Sequence, residues 1–227
     1  VECAQRQRVQ QNTCPVCRTP FTENELRELG LEALLPPSMQ SIYVAMAEEN
    51  YAPLIQAIDS GFNVDTQDED DQTLLMWASS FGNDDAVLYL ISSGASMNIR
   101  DSWGQTALMN AASEGFEDIA NELLDHGAER DLQDSYGWTA FYHAVNKGAP
   151  EVVNVLLHYG ANPTIATNEG VTPLQFAMKK NADPIVPIAR KLLYQRIIRL
   201  IENGPDDQGE FIPYEPSSPI HGPSGPY

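Results

Sequence analysis

The sequence predicts an all-α fold, a solenoid of stacked helix-turn-helix units with tight β-turns at the tips. Three observations carry this. Thr73, Thr106, Thr139 and Thr172 stand 33 residues apart. Ala78, Ala111, Ala144 and Ala177 keep the same step, and so do Gly82, Gly115 and Gly148 and the set Gly61, Gly94, Gly127 and Gly160. Between these columns apolar residues recur at helical spacing, as in Val152, Val153, Val155, Leu156 and Leu157. A fixed period of this length marks a repeat architecture. A single two-helix unit cannot bury its apolar face alone, so the units must stack.

Each column has a physical reading. Gly104, Gly137 and Gly170, two residues before their threonines, suit a tight turn with positive φ, and Asp71 takes that place in the first unit. The threonine suits the N-cap of the first helix. The small alanine lets paired helices approach. An apolar second helix follows and ends at a glycine in the C′ position, as in Tyr159-Gly160.

The array is read as residues 39–201. Residues 39–67 form an atypical cap that keeps Ile55, Ile58 and Gly61; full repeats follow at 68–100, 101–133 and 134–166. A second cap spans 167–201, where Asn181 replaces the expected glycine and Pro184 and Pro187 shift the apolar register ahead of a long helix from Arg190 to Ile201. Thr22 suits the cap of a helical linker at 22–38, closed by Pro36-Pro37. Residues 202–227, acidic and proline-rich, have too little apolar content to fold alone and are expected to be disordered. They read as a linker, or as a peptide motif around Phe211, Ile212 and Tyr214.

The stretches TLLMWA, TALMNA, TAFYHA and TPLQFA, with the glycine endings, resemble the ankyrin repeat over about residues 39–199. The family's usual histidine is replaced by Met76, Met109, Tyr142 and Gln175, and its proline survives only as Pro173. The resemblance implies protein binding on a concave face lined by turn tips and first helices. Carried onto this sequence, the tip positions include Trp103, Tyr136 and Trp138, and the ends of the first helices add Phe81, Glu114 and Asn146. Trp103 and Tyr136 occupy the same position of adjacent repeats. They suit a binding hot spot, or they stiffen the array by packing on neighbouring turns.

The only cysteines are Cys3, Cys14 and Cys17. An odd number gathered at one end does not suit a disulfide framework. It suits metal ligands in a reducing, cytoplasmic setting. A Cys-x-x-Cys pair offers two thiolates to one tetrahedral zinc. The string CAQRQRVQQNTCPVCRTPF is similar to the C-terminal end of a RING finger. That resemblance implies that Cys3, Cys14 and Cys17 are the last three of eight zinc ligands, with five preceding Val1, and that the chain starts part-way through a longer protein. It further implies that Pro15 and Arg18 contact a ubiquitin-conjugating enzyme and ubiquitin. Gln7 stands where many RING fingers carry tryptophan. Zinc is expected only when the missing ligands are supplied. The chain alone is then inactive, while its parent is a RING-type ubiquitin ligase or, in the other reading, a non-enzymatic adaptor.

Charge narrows the partners. The 227 residues carry 13 Lys and Arg against 32 Asp and Glu, a formal net charge of −19. Such a surface repels phosphate backbones and anionic bilayers, so neither nucleic acid nor membrane is an expected partner. The basic exception is 179–199, where six cations face one acid, Asp183. This block reads as a solvated cap helix or as a second docking point for an acidic segment. No phosphate loop, dinucleotide turn or nucleophile elbow is present. His126 and His158 precede helix-ending glycines and suit carbonyl capping, and His143 reads as a packed residue.

Overall fold

The computed structural model describes residues 39–48 and 50–205. The RING-like string with Cys3, Cys14, Pro15, Cys17 and Arg18, the linker at 22–38 and the tail beyond 205 lie outside the described residues. Among the described residues ten helices run in pairs: α1 (Met39–Ala47) with α2 (Ala52–Asp59), α3 (Leu74–Phe81) with α4 (Asp84–Ser92), α5 (Ala107–Glu114) with α6 (Glu117–Asp125), α7 (Ala140–Lys147) with α8 (Pro150–His158), and α9 (Pro173–Ala182) with α10 (Ile188–Asn203). Among the described residues there is no strand, and no helix is long and apolar enough to cross a membrane.

The helices build two layers. The first helices α1, α3, α5, α7 and α9 pack in sequence, and the second helices α4, α6, α8 and α10 pack behind them. One continuous core runs between the layers, from Ile42 and Met46 through Leu75, Leu108 and Phe141 to Ile197 and Leu200. The alanine column lies at its centre: Ala78, Ala111, Ala144 and Ala177 are fully buried, leaving no room for a larger side chain between paired helices.

The threonine column performs the expected capping. The hydroxyls of Thr73, Thr106, Thr139 and Thr172 accept from the backbone N–H of Met76, Met109, Tyr142 and Gln175. At Thr172 the Gln175 side chain also accepts from the Thr172 N–H, completing a reciprocal capping box. Gln175, one of the residues that replaces the family's histidine, thus supplies a helix-start bond of its own.

The structure departs from the sequence reading in two places. Ile55 faces solvent, and Leu54 and Ala57 supply the apolar side of α2 instead. The terminal helix starts at Ile188 and ends at Asn203, beyond both expected limits, because Pro187 serves as its N-cap and Gly204, at φ 91°, supplies the stop. Ahead of it α9 runs to Ala182, since Asn181 does not break it as glycine does in earlier units.

Candidate protein-binding surface

The turn tips are built by one repeated device. In each repeat an acid or threonine opens the turn: Asp68, Asp101, Asp134 and Thr167. The N–H three residues on donates to its carbonyl, at 3.1 Å from Asp71, 2.8 Å from Gly104, 2.9 Å from Gly137 and 2.8 Å from Gly170. Its side-chain oxygen accepts as well: Asp134 Oδ1 takes the N–H of Tyr136 at 2.9 Å and of Trp138 at 2.8 Å, and Asp101 does the same for Trp103 and Gln105. The glycine position lies at φ 76–78° in the three glycine units, and Asp71 adopts φ 61° in the first. Aspartate is among the few side chains that tolerate this region.

Each tip is then tied to the next. The N–H of Ser102 donates to the Asp70 carbonyl at 3.1 Å, Ser135 to Trp103 at 2.9 Å, and Asn168 to Tyr136 at 3.0 Å. Gly137 is needed at this join for space as well as for φ, since a Cβ there would stand 2.6 Å from the Asn168 nitrogen. A second set of ties comes from positions 67, 100 and 133. Gln67 Nε2 donates to the carbonyls of Asp71 and Arg100, and Gln133 Nε2 to those of Gly137 and Ala166. Arg100 bridges Gly104 and Gln133 in the same way. Sequence reasoning missed this staple, although its signal is present: the 33-residue column holds Gln67, Arg100 and Gln133, all long donors, before Ala166 ends the series.

The backbone of Trp103 and Tyr136 is therefore fixed while their side chains stay open, at 45% and 61% exposed. Ring and backbone serve different ends at the same residue. Trp138 is placed differently. It is half-buried, with its ring 4.7 Å from Tyr142, 5.2 Å from His143 and 6.4 Å from Tyr136. It supports Tyr136 from below. The row continues from Tyr142 to Phe176 at 5.3 Å and ends with Lys180 Nζ 5.4 Å over the Phe176 ring. Burial, and then the charge of Glu169, push the Tyr142 phenol up.

The remaining first-helix positions divide. Phe81 is exposed and its ring lies 5.4 Å from Trp77. Glu114 is exposed and paired with Lys147 of the next repeat at 3.0 Å. Asn146 is half-buried, and its carbonyl accepts from Tyr194 of the terminal helix at 3.4 Å. The structure thus brings Trp103, Tyr136 and Trp138 to one line of tips and sets Asn146 against the terminal helix.

Beneath the tips lies a column of acids, Asp101 and Asp134 buried and Asp68 half-buried. His143 Nε2 stands 3.0 Å from Asp134 Oδ2, with side chains 8% and 1% exposed. Burial pushes Asp134 up, but the His143 hydrogen bond and the N–H groups of Trp138 and Tyr136 outweigh it and hold the carboxyl below the ordinary range. Trp77 Nε1 gives Asp68 Oδ2 the equivalent bond at 3.0 Å. The middle repeat differs. Asn110, nine residues after Asp101, turns its amide to the Met76 carbonyl, and Asp101 Oδ2 is buried without a partner. Burial accordingly raises the Asp101 carboxyl, against the pull of two backbone N–H bonds. His126 Nδ1 meets the Glu122 carbonyl at 2.9 Å. Among the described residues no group of three or more His, Cys, Asp or Glu is disposed to hold a metal.

A two-layer helical solenoid whose stapled turn tips present fixed aromatic side chains is a protein-binding repeat scaffold. The family model for ankyrin repeats matches the chain in three overlapping stretches, residues 41–134, 75–167 and 126–204, and the chain belongs to the ankyrin-repeat family. The matched stretches begin after the cysteine-bearing string. Comparison with curated proteins finds no match.

Proposed function

We propose that the tips around Trp103 and Tyr136 hold a protein target, and that the repeats are the target-binding arm of a RING-type ubiquitin ligase working in the cytoplasm. The observation that carries the first part is the split role of these two residues, whose carbonyls tie adjacent tips while their rings stay exposed. Surface already fixed in its bound form loses less conformational freedom on association. Large aromatics held this way dominate interface energetics. Changing Trp103 and Tyr136 together to Ala should weaken a recovered target by more than about tenfold, or roughly 2 kcal/mol, with the helical signal unchanged. Unaltered affinity by calorimetry would remove these residues from the interface.

The ligase part rests on the string from Cys3 to Arg18. With the residues that precede Val1 supplied, Cys3, Cys14 and Cys17 would help to close two zinc sites, and Arg18 would bridge ubiquitin and the conjugating enzyme through its planar donor fork. Proximity between enzyme and target then does the catalytic work. The zinc-loaded extended protein should transfer ubiquitin with a panel of conjugating enzymes, and Arg18→Ala should slow transfer while zinc stays bound. Absence of transfer across the panel would leave a non-enzymatic ankyrin adaptor.

A further inference from the structure

Exposed apolar side chains gather at the C-terminal end of the array. Of eleven large apolar residues exposed among the described residues, five lie between Met178 and Leu193. Ile185 is 88% exposed, Ile188 79% and Leu192 60%. Ile185 precedes α10 and the other two lie on it, while its inner face buries Tyr194, Ile197 and Leu200 against the core. Ile188, Leu192, Gln195 and Arg199 follow at i, i+4, i+7 and i+11, one stripe on the opposite, solvent-facing side. At the start of α10, away from the stripe, a cleft of about 380 Å³ is lined by Asn146, Lys180, Asp183, Ile185, Arg190 and Tyr194.

Up to Arg199 the charge around this stripe is the reverse of the rest of the chain, and the one acid that follows on the helix is Glu202 in its last turn. Lys179, Lys191 and Arg199 make no ion pair with any described residue, whereas Arg196 is held by Glu151 at 2.7 Å and Arg190 reaches the Lys147 carbonyl. A solvated cap helix needs cations on its outer side but has no use for Ile188 and Leu192 there. Contiguous exposed apolar surface rimmed by polar groups marks an interaction site. Unpaired cations on the rim select an acidic partner. The outer side of a helix offers ridges and grooves to another helix and no strand edge to an extended peptide.

We infer that the outward face of α10 is a second docking surface, separate from the tips, for an acidic amphipathic helix of a partner protein. Its apolar residues would sit on Ile188 and Leu192, and its carboxylates would meet Lys191 and Arg199.

The test uses the full chain and a fluorescein-labelled synthetic helix of Ala, Glu and Leu with leucines at i, i+4 and i+7, followed by fluorescence anisotropy. The Glu peptide should bind, and a version with Lys for Glu should bind at least about tenfold more weakly. Ile188→Ser with Leu192→Ser, and separately Lys191→Glu with Arg199→Glu, should each cost about tenfold or more. Trp103→Ala with Tyr136→Ala should leave this binding unchanged. Ile188, Leu192 and Arg199 are exposed and Lys191 half-buried, none of them in the core, so circular dichroism should be unaltered. No binding, or binding indifferent to the α10 changes, overturns the proposal. So does Leu192-dependent partition onto phosphatidylserine vesicles, which would give the face to a membrane. A dimer in sedimentation that Leu192→Ser abolishes would give it to a second copy.

Discussion

His143→Asn would reproduce in the third repeat what the second already has: a buried aspartate with one oxygen left without a donor. The His143–Asp134 bond is 3.0 Å long and both side chains are shielded from water. A hydrogen bond to a charged group contributes about 1.5–3 kcal/mol, and the edge contact of His143 with Trp138 about 0.5 kcal/mol more. The expected loss is thus roughly 2–3 kcal/mol, or about 5–10 °C in melting temperature for an array of this size. The pH dependence carries the sharper test. Asp134 lies below its unfolded value, so its contribution is present above an unfolded pKa of about 3.9 and is lost as pH falls through the folded value. In the variant, Asp134 should behave as Asp101 does, raised by burial, destabilising at neutral pH and relieved on acidification. The gap between the two proteins in urea denaturation should therefore be widest near neutral pH and should narrow toward pH 3. A loss below about 0.5 kcal/mol, the level of an ordinary surface change, or a gap that widens in acid, would refute this account of the pair.

The converse change, Asn110→His, should give Asp101 Oδ2 its missing donor at the loss of the 3.3 Å bond to Met76, a net gain of about 1 kcal/mol by the same denaturation assay. Gly137→Ala should cost more than Gly94→Ala. Both sites have positive φ, but only at Gly137 would the new Cβ meet the backbone of the next tip, so thermal melts should separate the two by more than about 1 kcal/mol. A strong zinc chelator should leave the helical circular dichroism of the chain unchanged, because the repeats contain no cysteine and rest on stacking between neighbours; a large loss of helix would contradict this.

The frame of the fold was legible because each column of the repeat reports a backbone demand that only a few residue types meet. Thr73 and its equivalents had to cap, and Ala78 and its equivalents had to be small. The caps were less legible. Ile55 carries the right chemistry for a core position, but the turn of helix that begins at Ala52 points Leu54 and Ala57 inward instead. Nothing in an apolar pattern four residues long fixes that rotation. The end of α10 was set by Gly204, which the apolar register alone does not weigh.

The tip surface shows a different limit. Trp103, Tyr136 and Trp138 look alike as sequence, three large aromatics at tip positions. Their separation into two exposed rings and one supporting ring depends on what lies on the helix beneath, four and five residues after Trp138. Trp138 finds Tyr142 and His143 on the helix beneath it, whereas the corresponding residue of the second repeat is Gln105, above Met109 and Asn110. The same substitution of Asn110 for an aromatic donor leaves Asp101 without its bond. One position in the 33-residue period therefore decides two properties together: whether the buried acid under a tip is satisfied, and whether an aromatic one step along has a shelf to rest on. The second repeat has neither, and Trp103 stands on a tip held mainly by backbone bonds and by Arg100. If these tips bind a partner, Asn110→His should change affinity at Trp103 more than at Tyr136. In a double-mutant cycle against a recovered target, Asn110→His should couple to Trp103→Ala and not to Tyr136→Ala; equal coupling to both would show that the shelf under a tip has no part in presenting its ring.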